Sequence, residues 1–280
     1  MFSRRFFLVL VLFGLSGCSP ASSPPGKISI GVVSYGESDR SVEQYAELQN
    51  YLGEELNSLV ELEPTYNEVK ALEQIKRKTW DIVFAPPGLA AIAISQSQYS
   101  PIFPLEGGLK SRSVIVVLKD SPLTQLQQLS GKVVALGERG SATGYYLPLY
   151  NFYGLTLAEV RFAATPKIAL AWVAQKEVAA SAMSLSEYTR YRSEFPNVRF
   201  RILYTDAHNV PSGAVLVSAS LDAQKQEQIR KSLANVSGAI AASAGYVPNA
   251  AAPDYQYLIE VVSKVSPIAG RIKQKPAPLY

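Results

Sequence analysis

From residue 27 onward the chain alternates short apolar runs with amphipathic stretches. KISIGVVS at 27–34 is rich in β-branched residues and almost uncharged, which predicts a buried strand. Residues 39–56 carry Val42, Tyr45, Ala46, Leu52 and Leu56 at helical spacing, and residues 59–62 read as a short strand. Over 67–78 a helix is predicted, with Val69, Leu72 and Ile75 on one face. DIVFA at 81–85 is a strand ended by Pro86 and Pro87, and 88–95 is a short apolar helix. Strand alternating with helix in this way predicts a parallel sheet covered on both faces.

A second series begins after the strand at 113–119 and the turn signal Asp120-Ser-Pro. It runs through a strand at 129–136, helices at 143–152 and 167–174, a strand at 179–183, a helix at 185–193 and a strand at 199–204. Another strand at 214–218 and two long helices, 222–244 and 254–265, complete the pattern. The reading is an α/β fold of two lobes, each a mostly parallel sheet flanked by helices. Residues 28–110 plus 214–280 form the first lobe and 111–213 the second, with crossings near 108–113 and 208–214. Ligands of such sheets bind beyond the carboxyl ends of the strands, and two facing lobes make a cleft that closes by hinging.

The start of the chain follows different rules. Arg4 and Arg5 precede an apolar run at 6–17, shorter than the roughly 20 residues a membrane-spanning helix needs. Residues 1–17 therefore read as a signal peptide. Leu15-Ser16-Gly17-Cys18 resembles the lipobox of bacterial lipoproteins, so Cys18 is the expected lipidation site and 18–27, rich in serine and proline, a tether. The alternative is an ordinary secretory signal with a chance cysteine. Cys18 is the only cysteine, so no disulfide forms within the fold.

Charge narrows the partners. The formal net charge is +4, and loss of Arg4 and Arg5 leaves about +2. No basic run is present, which argues against nucleic acid. With one histidine, His208, and one cysteine, neither a Cys–His pair nor a multi-histidine metal site can be built in the folded part, and no nucleophile elbow occurs. The sequence points away from an enzyme and calls for no cofactor.

The richest segment is VVALGERGSATGYYLP at 133–148. A strand runs into a glycine loop and a helix follows near Thr143. Ser141 or Thr143 can cap that helix, and the free N–H groups at its start suit an anion. Neither a Walker A lysine nor the glycine spacing of a dinucleotide fingerprint is present. Capping alone would also account for both hydroxyls.

The order of these pieces resembles the phosphate, phosphite and phosphonate-binding proteins of ABC importers, the PhnD-like family of type II periplasmic binding proteins. KISIGVVS, the tyrosine in EPTYNEVKALEQIKRKTWDIVFAPP, the loop GSATGYYLP and the segment IALAWVAQKEVAASAMS carry the likeness. The resemblance implies an oxyanion held by Ser141, Ala142, Thr143 and Gly144, with Tyr66 closing over it. Tyr35, Pro87 and Ser184 are expected around the same cleft, and Lys167 can lend charge to the anion. Tyr145 and Tyr146, which open the helix, are candidates to stack on an organic ligand.

The sequence departs from the family at Ala142, where a hydroxyl is usual, at Pro166 and Lys167, where a histidine is often found, at Ala179 in place of an aspartate, and at Pro86-Pro87. No acidic group stands out near Ser184 or Gly213. The implied function is a monomeric, lipid-anchored solute-binding protein on the extracytoplasmic face that passes a small oxyanion to an ABC permease. The other reading is a tethered sensor or interaction protein of the same fold.

Overall fold

The computed structural model describes residues 26–33, 41–107 and 111–280. Cys18, the signal and most of the tether, and Tyr35 lie outside the described residues.

The first lobe opens with β1 (Gly26–Val33), a short 3-10 turn (Val42–Tyr45), α1 (Ala46–Glu55), β2 (Ser58–Thr65), α2 (Glu68–Arg77), β3 (Ile82–Ala85), α3 (Pro87–Ser97) and β4 (Tyr99–Pro104). β1 is buried from residue 28 to 32 because β2 and β3 flank it in parallel and helices cover its faces. At Gly31 the sheet lies against Trp80, where a Cβ would stand 2.1 Å from the indole ring. Asn67 starts α2 by accepting hydrogen bonds from Val69 N at 2.9 Å and Lys70 N at 3.1 Å.

The second lobe holds β5 (Ser113–Leu118), β6 (Val133–Leu136), a π turn (Ala142–Tyr146) leading into α4 (Leu147–Asn151), β7 (Thr156–Leu157), β8 (Glu159–Phe162), α5 (Pro166–Ala174), β9 (Ala180–Ser184), α6 (Leu185–Tyr191) and β10 (Phe200–Thr205). The chain returns through β11 (Ala214–Ser218), α7 (Ala223–Asn235) and α8 (Gly238–Ala244). It ends with α9 (Gln256–Val265) and β12 (Ala277–Pro278). The expected helix at 222–244 is two helices, because Val236 is extended and Ser237 caps a new start by accepting from Ile240 N.

The two sheets have the orders β2-β1-β3-β11-β4 and β10-β5-β9-β6-β8. Each is mixed rather than mostly parallel, for one topological reason. The strand that arrives from the other lobe, β11 in the first and β5 in the second, runs antiparallel to both of its neighbours. The crossing segments lie side by side at an isolated bridge between Ser111 and Val210, with Val210 N donating to Ser111 O at 2.7 Å.

The end of the chain departs from the expected division. α9 packs against α3 of the first lobe and α4 of the second, and Tyr255 Oη donates to the hinge carbonyl of Ser212 at 2.6 Å. β12 pairs with β7 of the second lobe. Residues 256–280 thus brace both lobes instead of belonging to the first alone. One apolar cluster, including Leu89, Ile92, Tyr145, Leu149 and Val262, runs through both lobes beneath this brace.

Candidate functional site

Between the lobes lies a cavity of about 470 Å³. Its second-lobe wall is built by helix starts. Ser141, extended at φ −72° and ψ 124°, places its Oγ to accept from Gly144 N at 3.0 Å. The N–H groups of Tyr145 and Tyr146 both reach Ser141 O, at 3.2 and 3.1 Å, which widens this turn to a π turn. The amides of Ala142 and Thr143 have no partner among the described residues, as helix starts commonly leave them. Thr143 is held by its carbonyl, which accepts from Ser113 Oγ at 2.7 Å.

Ser184 stands beside this turn. It closes α6 with a capping box: Glu187 N donates to Ser184 Oγ at 3.1 Å, and Ser184 N donates to Glu187 Oε2 at 2.7 Å. Ser184 Oγ also shares a hydrogen bond with Ser186 Oγ at 2.9 Å.

The first-lobe wall is different. Pro86 ends β3, and α3 begins with Pro87 at its first position and no side-chain cap. Gly88 brings the lobes together: a Cβ there would stand 1.9 Å from Gly140 O and 2.7 Å from Ala142 N. Gly140 adopts φ 132°, and its own missing Cβ makes room for Glu68 and Leu89. Backbone therefore meets backbone at this edge of the cavity. Val33, Tyr45 and Phe84 line the rest of the wall, and Leu105, Val210 and Ser212 come from the crossing strands.

No lysine, arginine or histidine lines the cavity among the described residues, whereas Glu106 and Glu187 do. Among the described lining residues, the groups that can offer partial positive charge to a ligand are therefore backbone amides such as those of Ala142 and Thr143.

Pro87, Ser141, Ala142, Thr143 and Ser184 are brought together at this cavity. Other expected site residues are elsewhere. Gly144 is buried behind the wall, with its N–H engaged by Ser141 and its Cα against Gly137. Tyr66 is 68 % exposed just beyond β2 and does not line the cavity. Lys167 pairs with Glu194 at 2.6 Å on the outer face of the second lobe. Tyr145 and Tyr146 pack edge to face, 4.9 Å apart, inside the core rather than toward a ligand. Burial pushes both hydroxyls up, Tyr145 to about 12. His208 stacks on Tyr257 at 3.9 Å and sits 3.2 Å from Asp206 Oδ1, also off the cavity.

Contrary to the expectation from the sequence, an acidic group, Glu187, does stand near Ser184. Its signal was the S-x-x-E spacing of a capping box at 184–187. Tyr45, Phe84 and Ser212 gave no such local signal, since only the tertiary fold carries them to the cleft.

A profile of the family described as "ABC transporter, phosphonate, periplasmic substrate-binding protein" matches residues 30–257. Among solved structures, XAC2383 from Xanthomonas citri bound to ATP is similar with a TM-score of 0.71 and 20 % identity, covering 86 % of this chain and 98 % of that one. PhnD1 from Prochlorococcus marinus in complex with methylphosphonate gives 0.63 and 15 %, covering 86 % and 99 %. The binding protein component PA3383 of an ABC phosphonate transporter from Pseudomonas aeruginosa gives 0.63 and 14 %, covering 88 % and 89 %. No curated protein sequence matches the chain.

Proposed function

Since the chain belongs to the phosphonate family of ABC-transporter periplasmic substrate-binding proteins, we propose that it is a lipid-anchored solute receptor whose interlobe cavity takes a small oxyanion. Members of that family are extracytoplasmic carriers that hand a small ligand to a membrane permease, not enzymes. The finer claims, the oxyanion and the anchor at Cys18, are our reading.

The observation that carries the reading is the turn at 141–143. Ser141, Ala142 and Thr143 line the cavity opposite the uncapped start of α3, and the amides of Ala142 and Thr143 have no partner among the described residues. Oxyanions are the ligands such amides suit, because bonds to a charged acceptor are about twice as strong as neutral ones. Methylphosphonate in the Prochlorococcus protein of like fold agrees with that chemistry.

A thermal-shift and calorimetry panel of phosphate, phosphite, methylphosphonate, 2-aminoethylphosphonate and sulfate tests it. At a hundredfold excess over Kd a true ligand stabilises the fold by about 2.7 kcal/mol. A flat panel would overturn the oxyanion reading. Thr143→Ala is expected to weaken whichever anion binds. For the anchor, Cys18→Ser moves the protein from the membrane fraction to the soluble one, and an unchanged distribution would sink that part.

A further inference from the structure

The two lobes carry opposite charge. Residues 26–110 and 214–255 hold ten lysines and arginines against fifteen aspartates and glutamates, a formal charge of −5. Residues 111–213 and 256–280, the second lobe with the brace, hold fifteen against eight, a formal charge of +7. Much of that excess gathers at one end. β6 and β9 run in parallel toward the cavity, and β5 runs antiparallel to β9. The starts of β6 and β9 and the finish of β5 therefore share the end of the lobe away from the cavity. Lys119, Lys132, Lys176 and Arg199 stand there, all exposed and none in an ion pair among the described residues. The brace adds Lys273, exposed and likewise unpaired, and Lys275, which meets Glu159 at 2.8 Å. Glu159 and Glu177 are further engaged by Arg161, at 3.6 and 3.3 Å. A helix end explains Lys176, which follows α5, but not Lys132 at a strand start or Lys273 in the tail. Two rings join the same end: Tyr153 and Tyr280 are 65 % and 55 % exposed, and Gly154 N donates to Leu279 O between them at 2.9 Å. Like charges gathered without partners repel one another, so this end calls for negative charge from outside the chain.

We infer that this end of the second lobe rests on an anionic membrane surface. Its cations come from separate segments and spread over the end instead of converging on one point, which suits a layer of headgroups. The exposed tyrosines suit the same layer, because each pairs an apolar ring with a polar tip. The negative first lobe is repelled from such a surface, so the division of charge sets the orientation. The cavity, at the opposite ends of the same strands, stays clear of the bilayer and open to solute. This contact is independent of which ligand the cavity takes. With the anchor proposed at Cys18, whose tether enters the first lobe at β1, it gives the chain two attachments, and a lipid with a basic patch holds far better than one acyl chain alone.

Flotation of the full chain carrying Cys18→Ser, which can take no lipid, tests this contact. The vesicles are phosphatidylcholine alone or phosphatidylcholine with phosphatidylglycerol at about three to one, and the apolar run at 6–17 is common to every arm. Binding to the anionic vesicles is expected to exceed binding to the neutral ones at least about tenfold at low salt, and to fall as salt is added. Lys132→Gln with Lys273→Gln should weaken binding to the anionic vesicles roughly 25-fold, about fivefold for each cation removed. Lys70→Gln with Lys76→Gln, two exposed cations of α2 in the first lobe, lowers the net charge equally and should change binding by less than about twofold. Equal binding to the two kinds of vesicle would overturn the membrane contact and leave this end to an acidic protein. Equal losses in the two pairs of substitutions would overturn it as well, because the net charge and not this surface would then set the binding.

Discussion

Two helix starts face the same cavity and are finished in opposite ways. α6 is closed by its own chain, with Ser184 and Glu187 bonding reciprocally across its first turn. α3 begins Pro86-Pro87-Gly88 and has no side-chain cap at all. The difference divides the labour of the cleft. A start capped from within keeps its lobe rigid and offers hydroxyls of fixed direction. A start made of proline and glycine offers shape: Pro87 presets the first helical turn, and Gly88 lets the opposite loop come to backbone contact. The second lobe supplies the hydroxyl donors, while the first supplies an apolar wall and the contact that shuts the cavity.

Breaking that contact is expected to have the largest effect. In Gly88→Ala the new methyl would occupy the place of the Gly140 carbonyl, 1.9 Å away, so the lobes must part or rotate. Both atoms that must move are backbone or attached to it, and no flexible side chain can yield. Apparent affinity falls in proportion to the fraction of molecules that still reach the closed arrangement, so a loss on the order of 100-fold is expected. Small-angle scattering should show a larger radius than the parent under saturating ligand. Binding and scattering like the parent's would mean that the 88/140 contact is not needed for closure.

The next pair sharpens the contrast between hydroxyls that the fold uses and those it leaves open. Ser212→Ala removes a hydroxyl with no partner among the described residues, so folding stability should stay within about 0.5 kcal/mol of the parent. Affinity for the bound anion should fall roughly tenfold, the scale of a hydrogen bond to a charged group. Ser184→Ala should do the reverse in emphasis. It removes the cap of α6, a loss of about 1 kcal/mol that calorimetry would read as a melting point lower by about 2–4 °C. If Ser212→Ala lowers the melting point and Ser184→Ala does not, the assignment of the two roles is inverted.

Much of this arrangement could be read along the chain, and the parts that could not share a cause. GSATG announced a capped turn after a strand because caps are local, set by residues three apart. Pro86-Pro87 announced the end of β3 in the same way. β4, whose run Tyr-Ser-Pro-Ile-Phe-Pro carries two prolines, reads as loop in isolation. It is a strand because it sits at the edge of the sheet and pairs with β11, more than 100 residues later. The antiparallel arrivals of β5 and β11 also escape local reading, since strand direction is settled by where the chain comes from. Tyr45 and Phe84 look like ordinary core residues on a helix and a strand. Their place on the cavity wall depends on the second lobe standing opposite, which no window around either residue contains.

Lys167 gives the smallest effect and the cleanest control. As a cation at the first turn of α5, near where the likeness places a histidine, it invites an electrostatic role. Its ammonium instead meets Glu194 at 2.6 Å, and both side chains remain more than a third exposed. A surface pair of this kind contributes about 0–1 kcal/mol and is screened by salt. Lys167→Ala should therefore leave anion affinity within about twofold of the parent, a change under about 0.5 kcal/mol. The measurement is best made at low ionic strength, where any long-range pull of the charge on an anion would be greatest. A large loss there, restored as salt is added to parent and variant alike, would show that the cavity draws on cations beyond its walls. Affinity that holds steady across salt in both proteins would leave the grip on the anion to the amides and hydroxyls at 141–143.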